Sequence, residues 1–491
     1  MNSVQRSIFF SAVERYASLG LFFVATAVLA RLLTPKEFGT FAVVNALTLV
    51  IASSFQEFGG ANYLIQKRQL APESVRTAFT ITFAISALVA VILLTSAGAV
   101  SRFFGEDSLT HGIEVSALSF LLMPFTGTIS ALLRRDMEFG KLAVCNLAAN
   151  SAGAAVSIVL AMLGFSYMAP IWGAVATNVV LTIILLAWYR NFGAFRPSLL
   201  EYRDVIDFGL YSSGISVINV FYNLAPQLFL ARILNFTSVG LYNRAISITQ
   251  TFDRLVVQVL NPVIMPAIVA QRRAGADLKR VYLEAIELLS AVQWPFLIFV
   301  AIMAHPLILI WLGQTWLEII PLVRVLCIAN LALFAACLSY PVFVAVGSVR
   351  DALVSSLISL PPSLLIILCA SFFGVQAVAA SALLTLPFQA AIAIYFIGRH
   401  LSIGFADIAR ALLKSGVVTV ATASGVMGCD MLIDMGIVTS LVGLMLAPCV
   451  AALCWWLALS LTGHPLLHRL YHAAGGFAVF APRLLRWRPV P

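Results

Sequence analysis

Long apolar stretches follow one another along almost the whole chain, separated by short polar connections. A bilayer core of about 30 Å needs roughly 20 apolar residues per helix, and about fourteen stretches reach that length. No connection between them exceeds about seventeen residues, which leaves no room for a soluble catalytic domain. The pattern therefore predicts an all-α polytopic membrane protein, with helices near residues 7–32, 38–58, 76–101, 111–133, 140–163, 167–189, 207–233, 238–265, 281–306, 318–346, 351–373, 375–397, 408–430 and 436–461.

One predicted helix, from Ser238 to about Pro262, carries polar residues along a single side. They recur at steps of three or four residues, which is the spacing of one helix face. A charged side chain in lipid is costly, so a charge retained there indicates function. We expect this face to meet water or a polar ligand, and it consists of Asn243, Ser247, Gln250, Arg254, Gln258 and Asn261.

The first and seventh predicted helices end in the same way. Leu29-Ala30-Arg31 returns as Leu230-Ala231-Arg232, and each arginine is followed eight residues later by a glycine, Gly39 or Gly240. Six helices separate the copies, so both insert with the same orientation and form a parallel repeat. We predict two six-helix lobes around a central cavity (1–192 and 207–400), a cytoplasmic linker (193–206), two additional transmembrane helices (401–462) and a basic cytoplasmic tail (463–491).

Composition agrees with the membrane class, since 61% of the residues are hydrophobic and 10% are charged. If the N-terminus is cytoplasmic, 22 of the 30 Lys and Arg residues fall on the cytoplasmic side and 4 on the outer side. The positive-inside rule then places both termini in the cytoplasm. The net charge of +9 is dispersed over short loops and gives no reason to expect a nucleic-acid partner.

The chain lacks the motifs of catalytic and metal sites. It has no Gly-rich phosphate loop, no Ser/His/Asp arrangement and no HExxH. The seven cysteines lie in apolar stretches without CxxC spacing, which favours buried small side chains over a metal or disulfide set. In the tail, His464, His468 and His472 recur every four residues, and a basic segment on the inner leaflet explains them better than a metal site. We expect no enzyme, no catalytic residue, no metal and no cofactor.

Ionisable and amide residues inside the predicted helices are the candidates for binding. Arg15 and Arg254 are predicted to face each other across the cavity and to bind an anion such as a diphosphate, because guanidinium makes bidentate contacts and stays charged. The structural alternative pairs these arginines with carboxylates that hold the lobes together. Amides and hydroxyls suit a sugar-rich ligand. The predicted wall comprises Ser18, Ser216, Asn219, Asn223, Gln250 and Gln258, with Asn45, Glu57, Asn146, Asn150 and Asn178 as an extension into the first lobe.

The remaining charged residues inside the helices have two interpretations each. Glu14, Glu57 and Asp253 are candidates for ion coupling, with H⁺ or Na⁺ as the ion, or for structural pairing. Arg244 and Arg324 are candidates for cations near the outer side, where a long side chain can also extend towards water without binding anything.

Two segments resemble a known family. The run Ala30-Arg31-Leu32-Leu33-Thr34-Pro35-Lys36-Glu37-Phe38-Gly39 and the run from Glu57 to Lys67 are similar to the opening of bacterial polysaccharide exporters of the Wzx and succinoglycan-transporter type. These belong to the multidrug/oligosaccharidyl-lipid/polysaccharide superfamily. The resemblance implies two six-helix lobes with a cationic cavity, and it assigns the role of cavity arginines to Arg15 and Arg254.

The same resemblance implies a function and a location. Such exporters move undecaprenyl-diphosphate-linked oligosaccharides, the repeat units of exopolysaccharide or O-antigen, across the bacterial inner membrane by alternating access. Transport in relatives is coupled to an ion gradient. The expected partners are the lipid-linked substrate, membrane lipids, and the polysaccharide polymerase and glycosyltransferases of the same pathway.

Three alternatives are open at this point. A multidrug or organic-cation antiporter of the superfamily is expected to have cavity carboxylates and aromatic residues in excess of arginines. A lipid II flippase is expected to have more arginines in the first lobe than this chain has. A scaffold of an assembly complex has no use for the polar faces that both repeats carry.

Overall fold

The computed structural model describes residues 3–56, 61–67, 70–189, 192–200, 202–257, 268, 272, 277–334 and 339–471, and these ranges contain helices and no strand. The first part of the chain forms α1 (Ser3–Leu32), α2 (Pro35–Gln56), α3 (Ala61–Gln66), α4 (Pro72–Phe104), α5 (Ser108–Arg135), α6 (Phe139–Met162), α7 (Met168–Trp188), α8 (Tyr202–Ile233) and α9 (Phe236–Thr249). The second part forms α10 (Leu278–Ile302), α11 (Ala304–Trp311), α12 (Ile320–Asn330), α13 (Ser339–Val346), α14 (Val349–Ser371), α15 (Val375–Leu401), α16 (Phe405–Asp434) and α17 (Ser440–Leu461).

The prediction of an all-α polytopic membrane protein is confirmed. Each predicted apolar stretch contains a helix, and within the described ranges eleven helices are long and apolar enough to cross a membrane. The other three predicted stretches correspond to α2, α8 and α9, of which α8 and α9 carry polar positions along one face. The predicted helix at 318–346 is divided into α12, a short 3₁₀ turn (Leu331–Phe334) and α13. Fourteen is therefore an approximate helix count.

The chain divides into two compact units. Unit 1 comprises Met1–Arg244, Trp311–Ile319 and Leu364–Val378, and unit 2 comprises Ala245–Ile310, Ile320–Ser363 and Ala379–Pro491. The lobe, linker and tail boundaries predicted from the sequence stay a prediction.

Unit 1 is held together by long helix pairs and by two tryptophans that are distant in sequence. Helix α6 packs along α7 and α1, α4 packs along α5, and α2 packs along α8. The indole N–H of Trp316 donates to the backbone oxygen of Ala30 at 2.7 Å, and that of Trp311 donates to the backbone oxygen of Phe23 at 3.2 Å. Both acceptors belong to α1, so the segment Trp311–Ile319 is fixed to this helix.

The repeat-related glycines meet where α2 and α9 cross. A Cβ atom on Gly39 would overlap the backbone oxygen of Phe236, and a Cβ atom on Gly240 would overlap the backbone oxygen of Pro35. Pro35 and Phe236 are themselves 201 residues apart, as are the two glycines. The two halves of the crossing are therefore equivalent, and only glycine allows the backbones to approach so closely. The internal repeat predicted from the offset is confirmed.

Unit 2 is organised around α10 and the two last long helices. Helix α16 packs along both α10 and α17. The hydroxyl of Ser290 donates to that of Ser415 at 2.9 Å, and the indole N–H of Trp455 donates to the backbone oxygen of Ala291 at 2.7 Å. These polar contacts are made between helices, where unpaired donors in lipid would be costly.

His464, the second residue of the predicted C-terminal tail, does not lie on a surface. The side chain of His464 is completely buried, its Nδ1 accepts from the backbone N–H of Leu466 at 3.1 Å, and its Nε2 lies 3.3 Å from the hydroxyl of Ser415. The prediction that the tail histidines belong to one basic segment on the inner leaflet is therefore wrong for His464, because the helices of unit 2 enclose its imidazole. His468 is exposed as predicted, and His472 lies outside the described residues.

The buried imidazole predicts a pH dependence of stability. Burial, with a contribution from Lys414, lowers the pKa of His464 from 6.5 to about 4. Between these values the unfolded chain binds a proton that the folded protein does not bind. The contribution of neutral His464 to the free energy of unfolding is therefore fully present above about pH 6.5. It is lost as the pH is lowered, and the loss is about 2 kcal/mol at about pH 5.

Thermal unfolding in detergent at about pH 7 and about pH 5 measures this loss. We expect His464→Gln to reduce the difference between the two pH values, whereas His468→Gln, which changes an exposed imidazole one turn away, leaves it unchanged. Equal pH dependence in the wild type and His464→Gln would contradict the assignment.

Candidate functional site

Two polar side chains of α1, one helical turn apart, accept hydrogen bonds from two amides of α6. The Asn146 amide donates to the Glu14 carboxylate at 2.6 Å, and the Asn150 amide donates to the Ser18 hydroxyl at 3.4 Å. The second pair lies four residues further along both helices, which is about one helical turn, so the two helices run in the same direction. The predicted residues Glu14 and Ser18 thus join the predicted extension through Asn146 and Asn150.

Arg15 follows Glu14 on α1 and is partly buried. Arg15 also makes a noncovalent contact with another part of the protein. The turn Glu14–Ser18 of α1 thus carries an arginine, a carboxylate and a hydroxyl, and two amides of α6 contact the carboxylate and the hydroxyl. This arrangement can bind an anion through the arginine, or a proton or cation through the oxygen atoms.

The polar face of α8 is described in part. Asn223 is exposed and Gln227, one turn further, is buried. The side chains of Ser216 and Asn219 lie outside the described residues, as do Glu57 on the segment after α2 and Gln258 after α9.

The polar face that begins on α9 passes into an irregular turn. Gln250 is exposed, and the backbone N–H of Arg254 donates to the backbone oxygen of Gln250 at 3.1 Å. Asp253–Val257 form a π-helical turn, on which both Asp253 and Arg254 are partly buried. Turns of this kind are rare and are frequent at functional sites. The helix is thus irregular at the arginine that the sequence pattern indicates as functional.

Arg324, a predicted outer-side cation, is exposed and binds the backbone of its own unit. Its Nε donates to the backbone oxygen of Ala301 at 3.3 Å, in the last turn of α10. A cation at a helix C-terminus satisfies orphan carbonyls and opposes the negative end of the helix dipole. The contact favours the structural interpretation of Arg324.

Arg244, the other predicted outer-side cation, is enclosed by aromatic rings. Its side chain is 3% exposed. The guanidinium carbon lies 3.8 Å from the ring centroid of Phe38 and 5.2 Å from that of Trp316. This cage could not be predicted from the sequence, because Trp316 is more than seventy residues from Arg244. Tertiary contacts such as its hydrogen bond to Ala30 hold it at α1.

The predicted site residues are therefore placed in separate groups. Glu14, Arg15 and Ser18 lie together in unit 1, and Arg254, Asp253 and Gln250 lie together in unit 2. The predicted opposition of Arg15 and Arg254 across a cavity stays a prediction.

Comparison with proteins of known sequence gives relatives of similar length. The chain is 24% identical over 325 residues to the lipopolysaccharide biosynthesis protein WzxC of Escherichia coli K12, covering 65% of each chain. It is 24% identical over 335 residues to the succinoglycan biosynthesis transport protein ExoT of Rhizobium meliloti, covering 67% of this chain and 66% of ExoT. The aligned part thus spans slightly less than two thirds of both relatives.

Comparison with solved structures shows the fold. The lipid II flippase MurJ, in an inward closed conformation, aligns with a TM-score of 0.72 over 92% of this chain and 98% of MurJ, at 10% sequence identity. At that identity the likeness concerns the fold alone. The polysaccharide biosynthesis protein family matches residues 28–321, which include the end of α1 and everything from α2 to α11. The chain is therefore a multi-pass membrane protein of the polysaccharide biosynthesis protein family.

Proposed function

We propose that the protein is a flippase for undecaprenyl-diphosphate-linked oligosaccharides, the repeat units of an exopolysaccharide or O-antigen. It moves them across the bacterial inner membrane by alternating access, with both of its termini in the cytoplasm. The observation that carries the proposal is the pair of polar, arginine-containing helix segments around Arg15 and Arg254 in a membrane protein of the polysaccharide biosynthesis family.

The chemistry of these segments suits the substrate. A diphosphate needs donors that stay charged where water is scarce, and guanidinium groups meet this need. The sugars need neutral groups that both donate and accept, which the amides of Asn223 and Gln250 provide. Both amides are exposed, so a ligand can reach them. No step of this process forms or breaks a covalent bond, so we propose that the protein is not an enzyme.

Transport against a gradient needs an energy source. We propose that the carboxylate of Glu14 takes up H⁺ or Na⁺, because it accepts a hydrogen bond from Asn146 at 2.6 Å and has a hydroxyl and a second amide one turn away. Oxygen ligands of this kind suit hard cations. The proposed partners are the polymerase and glycosyltransferases that make and consume the repeat units.

Two related functions fit less well. A multidrug or organic-cation antiporter would be expected to have cavity carboxylates in excess of arginines, whereas here Glu14 is followed by Arg15 and Asp253 is followed by Arg254. A lipid II flippase shares the fold through the likeness to MurJ, but the curated relatives are named for lipopolysaccharide and succinoglycan.

Removal of the protein tests the proposal. In polymer-producing cells that lack it, we expect surface polymer to disappear and lipid-linked repeat units to accumulate on the cytoplasmic leaflet. Spheroplasts treated with a membrane-impermeant reagent that tags oxidised sugars measure this location, because the units should react only after the membrane is permeabilised. Cells that lack the polymerase instead are the control, since their repeat units should react without permeabilisation. Tagging in intact spheroplasts of both strains would refute the flippase assignment.

A further inference from the structure

Arg244 carries a charge, and no carboxylate among the described residues of unit 1 pairs with it. Among the residues that the structure describes, no hydrogen bond or ion pair engages its guanidinium group, and Nε is buried without an acceptor. Guanidinium does not lose its proton in proteins, so its N–H groups stay donors that need an acceptor or water. Cation–π contacts with Phe38 and Trp316 offset only part of the cost of burying an unpaired cation.

The architecture does not require an arginine at this position. The crossing of Gly39 with Gly240 establishes the repeat equivalence, and in it Arg244 corresponds to Val43 and Phe38 corresponds to Val239. Both valines are 0% exposed. One half of the crossing is thus filled by a pair of small apolar side chains, and the other half replaces that pair with a cation and an aromatic ring. A packing role alone would be met by valine.

The surroundings of the guanidinium define what it can bind. Within the described residues, the guanidinium group lies over the ring faces of Phe38 and Trp316. A ring face competes weakly with an oxyanion, because phosphate and carboxylate groups make charge-assisted bidentate contacts with the planar fork. An oxyanion can therefore displace the aromatic rings as the partner of the guanidinium group.

We propose that Arg244 is an oxyanion-binding residue, which the cage of Phe38 and Trp316 holds until a phosphate or carboxylate group of the transported molecule takes it. This rests on the proposed function for the identity of the ligand. Binding of the anion would withdraw the guanidinium from Phe38 on α2, and so would loosen the crossing of α2 with α9.

A double-mutant cycle on the purified full-length protein in lipid nanodiscs tests the proposal. Inorganic diphosphate, farnesyl diphosphate and glucuronate serve as probes, which separate phosphate, lipid-borne phosphate and sugar carboxylate as the source of the oxyanion. Affinity is measured from the rise of the melting temperature with probe concentration. Phe38→Leu weakens the cage, so we expect it to tighten binding of at least one probe by about fivefold or more.

The same substitution in an Arg244→Val background should have no effect on affinity, because the cage then holds no cation. This comparison separates Arg244 from Arg15 and Arg254, which can bind the probes in either background. Phe103→Leu is the matched control, since Phe103 lies 5.1 Å from the guanidinium of Arg232, which is exposed. It should leave every affinity unchanged.

Three results would overturn the proposal. One is an unchanged affinity in Phe38→Leu for all probes, and another is an equal gain with and without Arg244. The third is a melting temperature of Arg244→Val well below that of the wild type, which would assign Arg244 a structural role. None of these results depends on transport. The flippase proposal is tested separately, by the export experiments.

Discussion

Replacement of Arg254 by alanine is expected to abolish polymer export, although the variant protein reaches the membrane in normal amounts. The arginine is partly buried on the π-helical turn Asp253–Val257, within a predicted membrane span, where a charged side chain is costly to keep. Loss of a charge-assisted bidentate contact corresponds to about tenfold to hundredfold in rate. Export is measured as surface polymer in cells whose sole copy of the protein is the variant.

Two further variants show whether the guanidinium itself is needed. Arg254→Lys retains the charge and loses the planar fork, so we expect export between those of the wild type and the alanine variant. Arg232→Ala removes an exposed arginine that lies over the ring of Phe103, and it should export normally. Normal export by a well-inserted Arg254→Ala protein would exclude Arg254 from substrate binding.

Replacement of Gly39 by alanine is expected to destabilise the protein by about 3 kcal/mol, the upper end of the range for overpacking. The added methyl group would overlap the backbone oxygen of Phe236, and a backbone atom cannot rotate away as a side chain can. This overlap can be relieved only if α2 and α9 move apart where they cross. The melting temperature in detergent and the amount of folded protein in membranes should both fall, and export should fall with them.

The repeat supplies an internal test of this expectation. Gly240→Ala should have a similar effect, because its methyl group would overlap the backbone oxygen of the equivalent Pro35. Gly98→Ala on α4 is the control, since a Cβ atom there meets nothing within 4 Å and alanine favours the helix. If both crossing variants melt at the wild-type temperature, α2 and α9 do not pack so closely in the protein.

The fold could be predicted from local and periodic features. The length of the apolar stretches predicted where the helices lie, because a bilayer sets that length. The offset of 201 residues predicted that Gly39 and Gly240 are equivalent, and their contact in unit 1 agrees. The sequence also indicated Glu14 and Ser18 as candidate site residues, although it did not show that they meet Asn146 and Asn150 on α6.

The contacts of individual charged residues could not be predicted, because they depend on partners that are remote in sequence. The cage of Arg244 needs Trp316, which reaches α1 through a hydrogen bond to Ala30. The burial of His464 needs Ser415 on α16. A pattern along one helix shows which side is polar, but it does not show whether water, an aromatic ring or another helix covers that side.

The crossing of α2 with α9 also has a consequence for ancestry. In a homodimer every interface residue occurs twice, so a six-helix unit that paired with its own copy through Gly39 would bring two copies of position 43 to one crossing. An arginine there would bury two cations side by side, and a valine would bury none. Fusion of two units into one chain allows the copies to differ, as Val43 and Arg244 do. The tandem gene can thus hold a single cation at a point where a symmetric dimer must hold two or none.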